Sequence, residues 1–199
     1  MTMNYLAHAY FSFDHPQILT GNMISDFVKG RKQYDYPESI QQGIRLHRAI
    51  DTFTDDHPVT KELKKIFAPA VRLYAGAFVD VVYDHFLALN EAELKEPEWM
   101  DFTQTTYGHL NLQQDYFPEQ FARMFPYMQQ QNWLFNYRYT WGIQNSFGGL
   151  TRRAKYLDSS EEAFGLFTEN YTEAAQLSDQ FIQDVKKFAV NQFESLIRQ

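Results

Sequence analysis

The sequence predicts an all-α protein folded as a single domain. Apolar residues recur at helical spacing along most of the chain, whereas runs that alternate strictly between apolar and polar residues are absent. The dipeptides that close tight β-hairpins, Asn-Gly and Asp-Gly, do not occur. With 199 residues, 44% of them hydrophobic and 17% aromatic, the chain can bury one sizeable core. We therefore expect one helical domain over residues 1–199.

Helical periodicity and proline positions define the predicted elements. Four prolines stand where helices are expected to begin, because the fixed φ of proline suits the first helical turn. They are Pro16, Pro37, Pro97 and Pro118. The last periodic segment is too long for one ordinary helix, so we expect a break within it. The core is expected to include the three tryptophans, Trp99, Trp133 and Trp141. In chain order, the predicted helices cover residues 4–12, 17–29, 38–55, 60–67, 70–89, 98–107, 118–124, 127–145 and 160–197.

Composition excludes several classes of function. The formal net charge of −7 argues against non-specific binding to nucleic acids or anionic membranes, since both require an excess of Lys and Arg. The chain has no cysteine, so a metal can be held only by histidine, carboxylate and water. The N-terminus lacks the features of a secretory signal, and the most apolar stretch, 71–89, is interrupted by Arg72, Asp80 and Asp84. We therefore expect a cytoplasmic protein without a membrane span.

A histidine and an aspartate share one face of the predicted helix 38–55. With about 100° between successive residues, His47 and Asp51 fall in the same arc as the apolar residues that should face the core. Their i, i+4 spacing stacks the two side chains, which lets a single helix offer two ligands to one ion. The alternative is a buried His–Asp hydrogen bond that joins two helices.

Two further aspartates, Asp80 and Asp84, lie one helical turn apart in an apolar segment. Residues 73–94 contain no Lys or Arg. Desolvation and mutual repulsion raise the pKa of two such carboxyl groups, so both cannot stay ionised without a compensating cation. A metal ion is the simplest cation to propose. The alternative is that Arg45 or Arg152 neutralises the pair from elsewhere in the fold.

Two neighbouring residues extend this set of candidate ligands. His85 adjoins Asp84, but successive helical positions point about 100° apart, so one of the two can bind an ion while the other orients it. Asp26 lies with apolar residues on the predicted helix 17–29 and is a third candidate carboxylate.

Basic residues occur in two short segments that could meet a phosphate group. Lys29, Arg31 and Lys32 follow the helix that carries Asp26, where they can bind phosphate or complement the helix dipole. Arg152 follows two glycines, an arrangement that suits either a phosphate-binding turn or a plain connection between helices.

Four motifs follow one another in the first part of the chain: NYLAH at 4–8, GNMISDFVKG at 21–30, GIRLHRAIDTFTDDHP at 43–58 and RLYAGAFVDVVYDHFLA at 72–88. In this order and spacing they resemble the acyl carrier protein phosphodiesterase family. A later segment, FGGLTRRA at 147–154, is similar to a basic motif of that family.

The resemblance implies a reaction, a metal and a set of ligands. The reaction is hydrolysis of the phosphodiester that joins 4′-phosphopantetheine to a serine of holo acyl carrier protein, by a divergent relative of the HD phosphohydrolases. The family is associated with manganese, and imidazole mixed with hard oxygen ligands suits Mn²⁺, with Fe²⁺ or Mg²⁺ as alternatives. Metal contact is implied for Asp26, His47, Asp51, Asp80, Asp84 and His85, with His8 and His57 as second choices.

Roles for the other side chains follow from this chemistry. The general base on a metal-bound water would be Asp51 or Asp84. The candidates for phosphate binding are Lys29, Arg48 and Arg152. An acidic carrier protein would dock on the local basic surface of Lys29, Arg31 and Lys32.

Two other functions remain open from the sequence. A general HD-type phosphohydrolase would use the same ion and carboxylates on a nucleotide or another small phosphodiester. A non-catalytic helical interaction module would instead contain structural His–Asp pairs and bind no metal. In that module, replacing Asp84 with Ala would reduce stability rather than activity.

Overall fold

A computed structural model describes residues 5–198, and every regular element among them is helical. This confirms the predicted all-α class. The predicted helix start at residue 4 and the ends of the predicted domain 1–199 lie outside the described residues. The α-helices are α1 (Tyr5–Tyr10), α2 (Pro16–Ile24), α3 (Glu38–Asp56), α4 (Pro58–Val71), α5 (Ala75–Ala88), α6 (Glu96–Asn111), α7 (Glu119–Gln130), α8 (Trp133–Asn136), α9 (Thr140–Arg153), α10 (Glu161–Glu169) and α11 (Tyr171–Ile197). Short 3-10 helices cover Ser25–Phe27, Gly30–Asp35, Arg72–Tyr74 and Gln114–Tyr116.

Helix boundaries differ from the prediction mainly around Asn132. This residue takes a left-handed conformation with φ of 46°, which interrupts a right-handed helix, so the predicted helix 127–145 is divided among α7, α8 and α9. The expected break within 160–197 is confirmed at Asn170, between α10 and α11. Its side-chain amide donates to the carbonyl oxygen of Leu166 at 2.8 Å, which satisfies one of the last carbonyls of α10.

Helices α2 and α3 cross at two glycines. A Cβ atom on Gly21 would stand 2.0 Å from a backbone oxygen of α3, and one on Gly43 would stand 2.1 Å from a backbone oxygen of α2. Only glycine allows two backbones to approach so closely, because any side chain would overlap the facing helix. The crossing immediately precedes Asn22 on α2 and lies one turn before His47 on α3, so it places these two residues opposite each other.

Helices α4 and α5 pack against each other and are joined by a turn at Arg72. As one continuous run, Pro58–Ala88 is long and apolar enough to span a membrane, with a mean hydropathy of 1.4 in its most apolar window. The chain turns at Arg72, however, where φ is 50°. Each helix is then about 21 Å long, shorter than the roughly 30 Å hydrocarbon core of a bilayer. Half of the window is buried inside the protein, as expected for paired core helices.

The long helix α11 packs on α3, α4 and α5 and covers the core. Tyr83 of α5 stacks on Phe181 of α11 with ring centroids 3.9 Å apart, and Phe53 of α3 stacks on Phe188 of α11 at 4.4 Å. Burial of large aromatic side chains of this kind stabilises a fold by roughly 1.5–3 kcal/mol each. The short helix α1 contacts α2 and α5, which brings His8 to the buried side of α3.

Candidate metal centre

Three side chains from α1 and α3 converge at one place. Nε2 of His8 lies 3.2 Å from Oδ1 of Asp51, and Nε2 of His47 lies 3.2 Å from Oδ2 of the same carboxylate. The two imidazole rings stack with centroids 3.8 Å apart and planes at 16°. One donor atom from each of the three residues lies within 4.8 Å of the others, a spacing that one divalent ion can bridge. We call these three residues the His–His–Asp cluster.

Two more aspartates interact with the His–His–Asp cluster, one by contact and one electrostatically. Oδ1 of Asp26, in the 3-10 helix after α2, lies 3.4 Å from Nε2 of His47. Asp80 of α5 is buried, and burial followed by the negative charge of Asp51 raises its pKa well above the ordinary value. The side chains of Asp26 and Asp51 are 18% and 25% exposed. They therefore form the side of the cluster that water can reach.

Several buried polar atoms of this group form no hydrogen bond within the described residues. Nδ1 of His8 and Oδ2 of Asp80 have no hydrogen-bond partner among the described residues, and Nε2 of each histidine contacts carboxylate oxygens at 3.2–3.4 Å without forming a hydrogen bond. An unsatisfied buried polar atom costs about 1–3 kcal/mol, so their concentration at one place indicates a site built for a ligand. Imidazole nitrogen combined with carboxylate oxygen is a donor set that suits Mn²⁺ or Fe²⁺. The residues present therefore fit the predicted metal.

Asn22 of α2 supports both histidines. Its backbone carbonyl accepts a hydrogen bond from Nδ1 of His47 at 2.7 Å, which leaves the Nε2 lone pair of the neutral ring directed at the carboxylates. Its side-chain Nδ2 donates to the backbone oxygen of His8 at 2.8 Å. A carbonyl on the second ring nitrogen is the usual arrangement for a metal-binding histidine. Sequence reasoning missed Asn22, although it stands in the GNMISDFVKG motif.

The histidines and carboxylates of this group shift one another's pKa values. Burial lowers the pKa of His47, but contacts with Asp26 and Asp51 outweigh this effect and raise the pKa to about 9. Burial and the neighbouring His47 lower the pKa of His8, which therefore stays neutral. Burial raises the pKa of Asp51, but the two histidines outweigh it and hold the pKa far below its usual range. A bound cation would replace the proton on His47, since metal ligands must be deprotonated.

Asp84 binds the backbone of α1 and lies outside the His–His–Asp cluster. Its two carboxylate oxygens accept hydrogen bonds from the backbone N–H groups of Leu6 and Ala7, at 3.1 and 2.8 Å. These groups belong to the first turn of α1 and have no partner within the helix. Burial raises the pKa of Asp84, whereas the two N–H groups lower it. Because Asp84 is fully buried and is not among the converging donor atoms, we revise the predicted roles of ligand and base: Asp84 holds α1, the helix that carries His8.

The other two predicted histidines also bind structural partners. Nδ1 of His85 contacts the carbonyl oxygen of Tyr137 at 2.7 Å, and Nε2 contacts the hydroxyl of Tyr171 at 2.9 Å. Nδ1 of His57 accepts from a backbone N–H in the first turn of α4, and Nε2 lies 3.6 Å from Asp184 of α11. Since neither ring has a nitrogen directed at the cluster, we revise the predicted metal contact of His85 and the second-choice role of His57.

The basic side chains predicted to bind phosphate or the carrier protein lie at separate places in the structure. Arg48 donates to the carbonyl oxygen of Val28 and to the side chain of Gln33, both at 2.9 Å, and so fixes the segment after α2. The predicted docking residues stand exposed on or beside the 3-10 helix Gly30–Asp35; they are Lys29, Arg31 and Lys32. Arg152 instead lies at the end of α9 and lines a cleft.

Two clefts open in this part of the molecule. The basic cleft, of about 570 Å³, is lined by the α4–α5 corner and the end of α9, and its charged residues are Lys61, Lys64, Lys65, Arg72, Arg153 and Asp55. The aromatic cleft, of about 330 Å³, has rings and amides along its walls, including Trp133, Tyr137, Trp141, Asn136 and Asn145, with Arg152 and Arg153 beside them.

Arg153 lines both clefts and was missed by the sequence reasoning, which selected its neighbour Arg152. Burial raises the pKa of Tyr5; the charge of Asp26 adds to this shift and that of Arg153 opposes it. Asp26 and Arg153 therefore both lie within electrostatic reach of the Tyr5 hydroxyl.

The position of Trp141 also differs from the prediction. It was expected in the core, but it is 50% exposed and lines the aromatic cleft.

A comparison with protein families decides how this site is to be interpreted. The model described as acyl carrier protein phosphodiesterase matches residues 3–185. The chain belongs to the acyl carrier protein phosphodiesterase family. The resemblance seen in four motifs is thereby confirmed, and it extends over most of the chain. Membership assigns the protein to the phosphoric diester hydrolases.

Similar proteins support this membership over most of their length. The chain is 30% identical over 190 residues to an acyl carrier protein phosphodiesterase of Photorhabdus laumondii subsp. laumondii, covering 95% of this chain and 96% of the relative. It is 32% identical over 180 residues to one of Klebsiella pneumoniae strain 342, covering 90% and 92%. It is 32% identical over 163 residues to one of Enterobacter sp. strain 638, covering 81% and 84%. No solved structure matches the chain.

Proposed function

We propose that this protein hydrolyses the phosphodiester of holo acyl carrier protein and releases 4′-phosphopantetheine, with a divalent metal held at the His–His–Asp cluster. The observation that carries the proposal is the convergence of His8, His47 and Asp51 on donor atoms within 4.8 Å of one another, in a chain of this family. The carrier-protein substrate is also the basis for proposing a cytoplasmic location.

The metal would be held by His8, His47 and Asp51, with Asp80 as an additional ligand. We propose Mn²⁺ because the donor set mixes imidazole and carboxylate and contains no thiolate. When bound, such an ion lowers the pKa of a water ligand and polarises a phosphoryl oxygen. The unsatisfied Oδ2 of Asp80 and the raised pKa of this carboxyl both support a role in binding a cation.

Asp26 is the carboxylate that we propose as proton acceptor. Its side chain is 18% exposed and lies beside Nε2 of His47, so water can reach it at the rim of the cluster. Asp51 is also accessible, but the two histidines hold its pKa far below the usual range, which makes it a weak base. Asp84 is fully buried and bound to the backbone of α1, so we assign it a positioning role instead.

The two clefts suggest how the rest of the substrate is held. Arg153 lines both clefts, so its guanidinium is a better candidate for the phosphodiester than Lys29, which lines neither. The aromatic cleft has amide and hydroxyl side chains that can pair with the two amides of pantetheine, and the exposed ring of Trp141 can cover its apolar part.

The test is mass spectrometry of holo acyl carrier protein incubated with this protein and Mn²⁺. The wild type should remove the phosphopantetheine mass. Asp51→Asn, which keeps the side-chain size but removes the charge, should slow the reaction by at least about a hundredfold. His109→Gln is the control, because His109 pairs with the exposed Asp14 outside the cluster.

The other outcomes separate the alternatives. Cleavage of nucleotides or of bis(4-nitrophenyl) phosphate, without any loss of mass from the carrier protein, would instead indicate a phosphohydrolase for small diesters. A folded wild-type protein that binds no Mn²⁺ and cleaves none of these substrates would contradict the proposal and indicate that the His–Asp contacts are structural.

A further inference from the structure

The basic cleft concentrates positive charge on a protein whose formal net charge is −7. Five cationic side chains line it, against the single carboxylate of Asp55. Lys64 pairs with Asp55 at 2.7 Å, and Lys65 pairs with Glu62 at 2.7 Å. Lys61 and Arg72 form no side-chain hydrogen bond or ion pair within residues 5–198 and are exposed. The cleft therefore offers charge that the fold itself does not neutralise.

The basic cleft adjoins the metal centre. Asp55 follows Asp51 by four residues on α3, and one helical turn rises about 5.4 Å, so the two carboxylates share a face of that helix. The charges of both aspartates raise the pKa of Asp80, after burial itself, and Lys64 from the cleft lowers it. A large ligand in this cleft would thus lie next to the His–His–Asp cluster.

The turn between α4 and α5 presents an apolar side chain beside these cations. Leu73 is 100% exposed and lines the cleft. The preceding Arg72 has φ of 50° and ψ of −119°, a conformation that non-glycine residues rarely adopt. An exposed leucine between cations on a strained turn is an arrangement that suits a protein partner with acidic side chains around a small apolar patch.

We infer that the basic cleft is the docking surface for the acyl carrier protein, through acidic side chains of that partner; this inference rests on the proposed function. Lys61 and Arg72 would pair with carboxylates of the carrier, and Leu73 would meet an apolar side chain. The carrier serine then lies near the cluster, while the pantetheine arm follows the aromatic cleft from Arg153. The surface of Lys29, Arg31 and Lys32 is replaced as the docking site.

The experiment measures binding of apo acyl carrier protein, which lacks the phosphodiester and therefore reports docking alone. Calorimetry at low ionic strength compares the wild type with Lys61→Glu/Arg72→Glu and with Leu73→Ala. We expect Kd to rise about tenfold or more in the double variant and a few-fold in Leu73→Ala. In hydrolysis assays, KM for holo carrier should rise while kcat is retained. The matched variant Arg31→Glu/Lys32→Glu, with the same change in charge, should bind like the wild type.

Melting temperatures report whether the variants fold, and Leu73→Ala removes a side chain that makes no packing contribution. Equal binding by the wild type and the double variant would overturn the inference, and so would an equal loss in Arg31→Glu/Lys32→Glu. The same variants are also titrated with duplex RNA, and RNA binding that is lost in the double variant while carrier binding is unchanged would also overturn it. Wild type that binds apo carrier through this cleft but does not hydrolyse holo carrier would contradict only the proposed function. Hydrolysis with an unchanged KM in the double variant would contradict only the docking site.

Discussion

Two aspartates on one face of α5 have different environments, although their sequence contexts are alike. Asp80 lies within electrostatic reach of Asp51 and has an unsatisfied oxygen, whereas both oxygens of Asp84 accept hydrogen bonds from the first turn of α1. The difference arises from the neighbouring helices. The first turn of α1 donates its backbone N–H groups to Asp84, whereas Asp80 interacts with the aspartates of α3. At the residue scale, the proposed metal centre thus combines candidate ligands with a carboxylate that positions one of them.

Asp84→Asn should destabilise the protein even without metal. The amide keeps one acceptor oxygen but turns an NH₂ group toward a backbone N–H of α1, which leaves a buried donor unsatisfied. We expect a loss of about 1–3 kcal/mol in the free energy of unfolding, measured by urea denaturation in EDTA. Asp55→Asn, which breaks only a largely exposed pair with Lys64, should change it by less than about 1 kcal/mol. Equal effects would contradict the capping role of Asp84.

His85 makes stability depend on pH. Burial lowers its pKa below the ordinary 6.5, although the hydrogen bond to Tyr137 opposes this. The unfolded chain therefore takes up the proton first, and stability is lost as the pH falls through 6.5 toward the folded pKa, with a slope of at most about 1.4 kcal/mol per pH unit.

The measurement is the unfolding free energy of metal-free protein between pH 7.5 and pH 5, conditions chosen to span about one unit either side of the ordinary histidine pKa. His85→Leu should be less stable at pH 7.5 but should show a shallower slope than the wild type. His109→Gln, at the partly exposed pair with Asp14, is the control that removes an imidazole elsewhere in the fold. An unchanged slope in His85→Leu would show that this ring does not contribute to the acid response.

At the scale of elements, the centre depends on how closely α2 and α3 approach. The crossing at Gly21 and Gly43 brings the backbone oxygen of Asn22 within hydrogen-bonding distance of His47, and the same helix end carries Asp26. Helix propensity alone would favour alanine at both glycines by about 1 kcal/mol each. Close packing of the two backbones therefore outweighs propensity at this crossing.

Gly43→Ala should separate the two helices. Its Cβ would stand 2.1 Å from a backbone oxygen of α2, an overlap that flexible side chains cannot relieve. We expect a loss of about 1–3 kcal/mol in unfolding free energy and weaker Mn²⁺ binding, measured by denaturation and by titration of free Mn²⁺. The matched substitution Gly108→Ala, on α6 with nothing within 4 Å of the new Cβ, should stabilise by up to about 1 kcal/mol. Stabilisation by both substitutions would contradict the role of the crossing.

At the scale of the whole molecule, the proposed metal would connect three helices. His8 comes from α1, His47 and Asp51 from α3, and Asp80 from α5. A cation bound only by the folded state stabilises it by mass action. The metal would also satisfy buried lone pairs that the metal-free fold leaves unpaired.

Mn²⁺ should therefore raise the melting temperature. At a free concentration of about 100 times Kd, the gain is about 2.7 kcal/mol, which corresponds to roughly 5–10 °C for a protein of this size. EDTA should reverse the shift, and Asp51→Asn should show almost none of it in differential scanning calorimetry. A shift of equal size in Asp51→Asn, or no shift in the wild type, would contradict metal binding at this cluster.

The sequence by itself determined the helical class, the family and the residues from which a metal centre could be built. These follow from local patterns: helical spacing of apolar residues, glycines and prolines at element ends, and His47 and Asp51 one turn apart on a predicted helix. Helical geometry relates such residues to one another without knowledge of the rest of the fold.

Only the tertiary structure decided which of these candidates meet. His8, a second choice from the sequence, joins His47 and Asp51, while Asp84 and His85 bind other parts of the chain. Arg153 likewise stands where two clefts meet, although Arg152 beside it has the same charge. The physical reason is that a buried polar side chain must find its hydrogen-bond partner on whichever helix packs opposite it, and that packing joins residues far apart in the sequence.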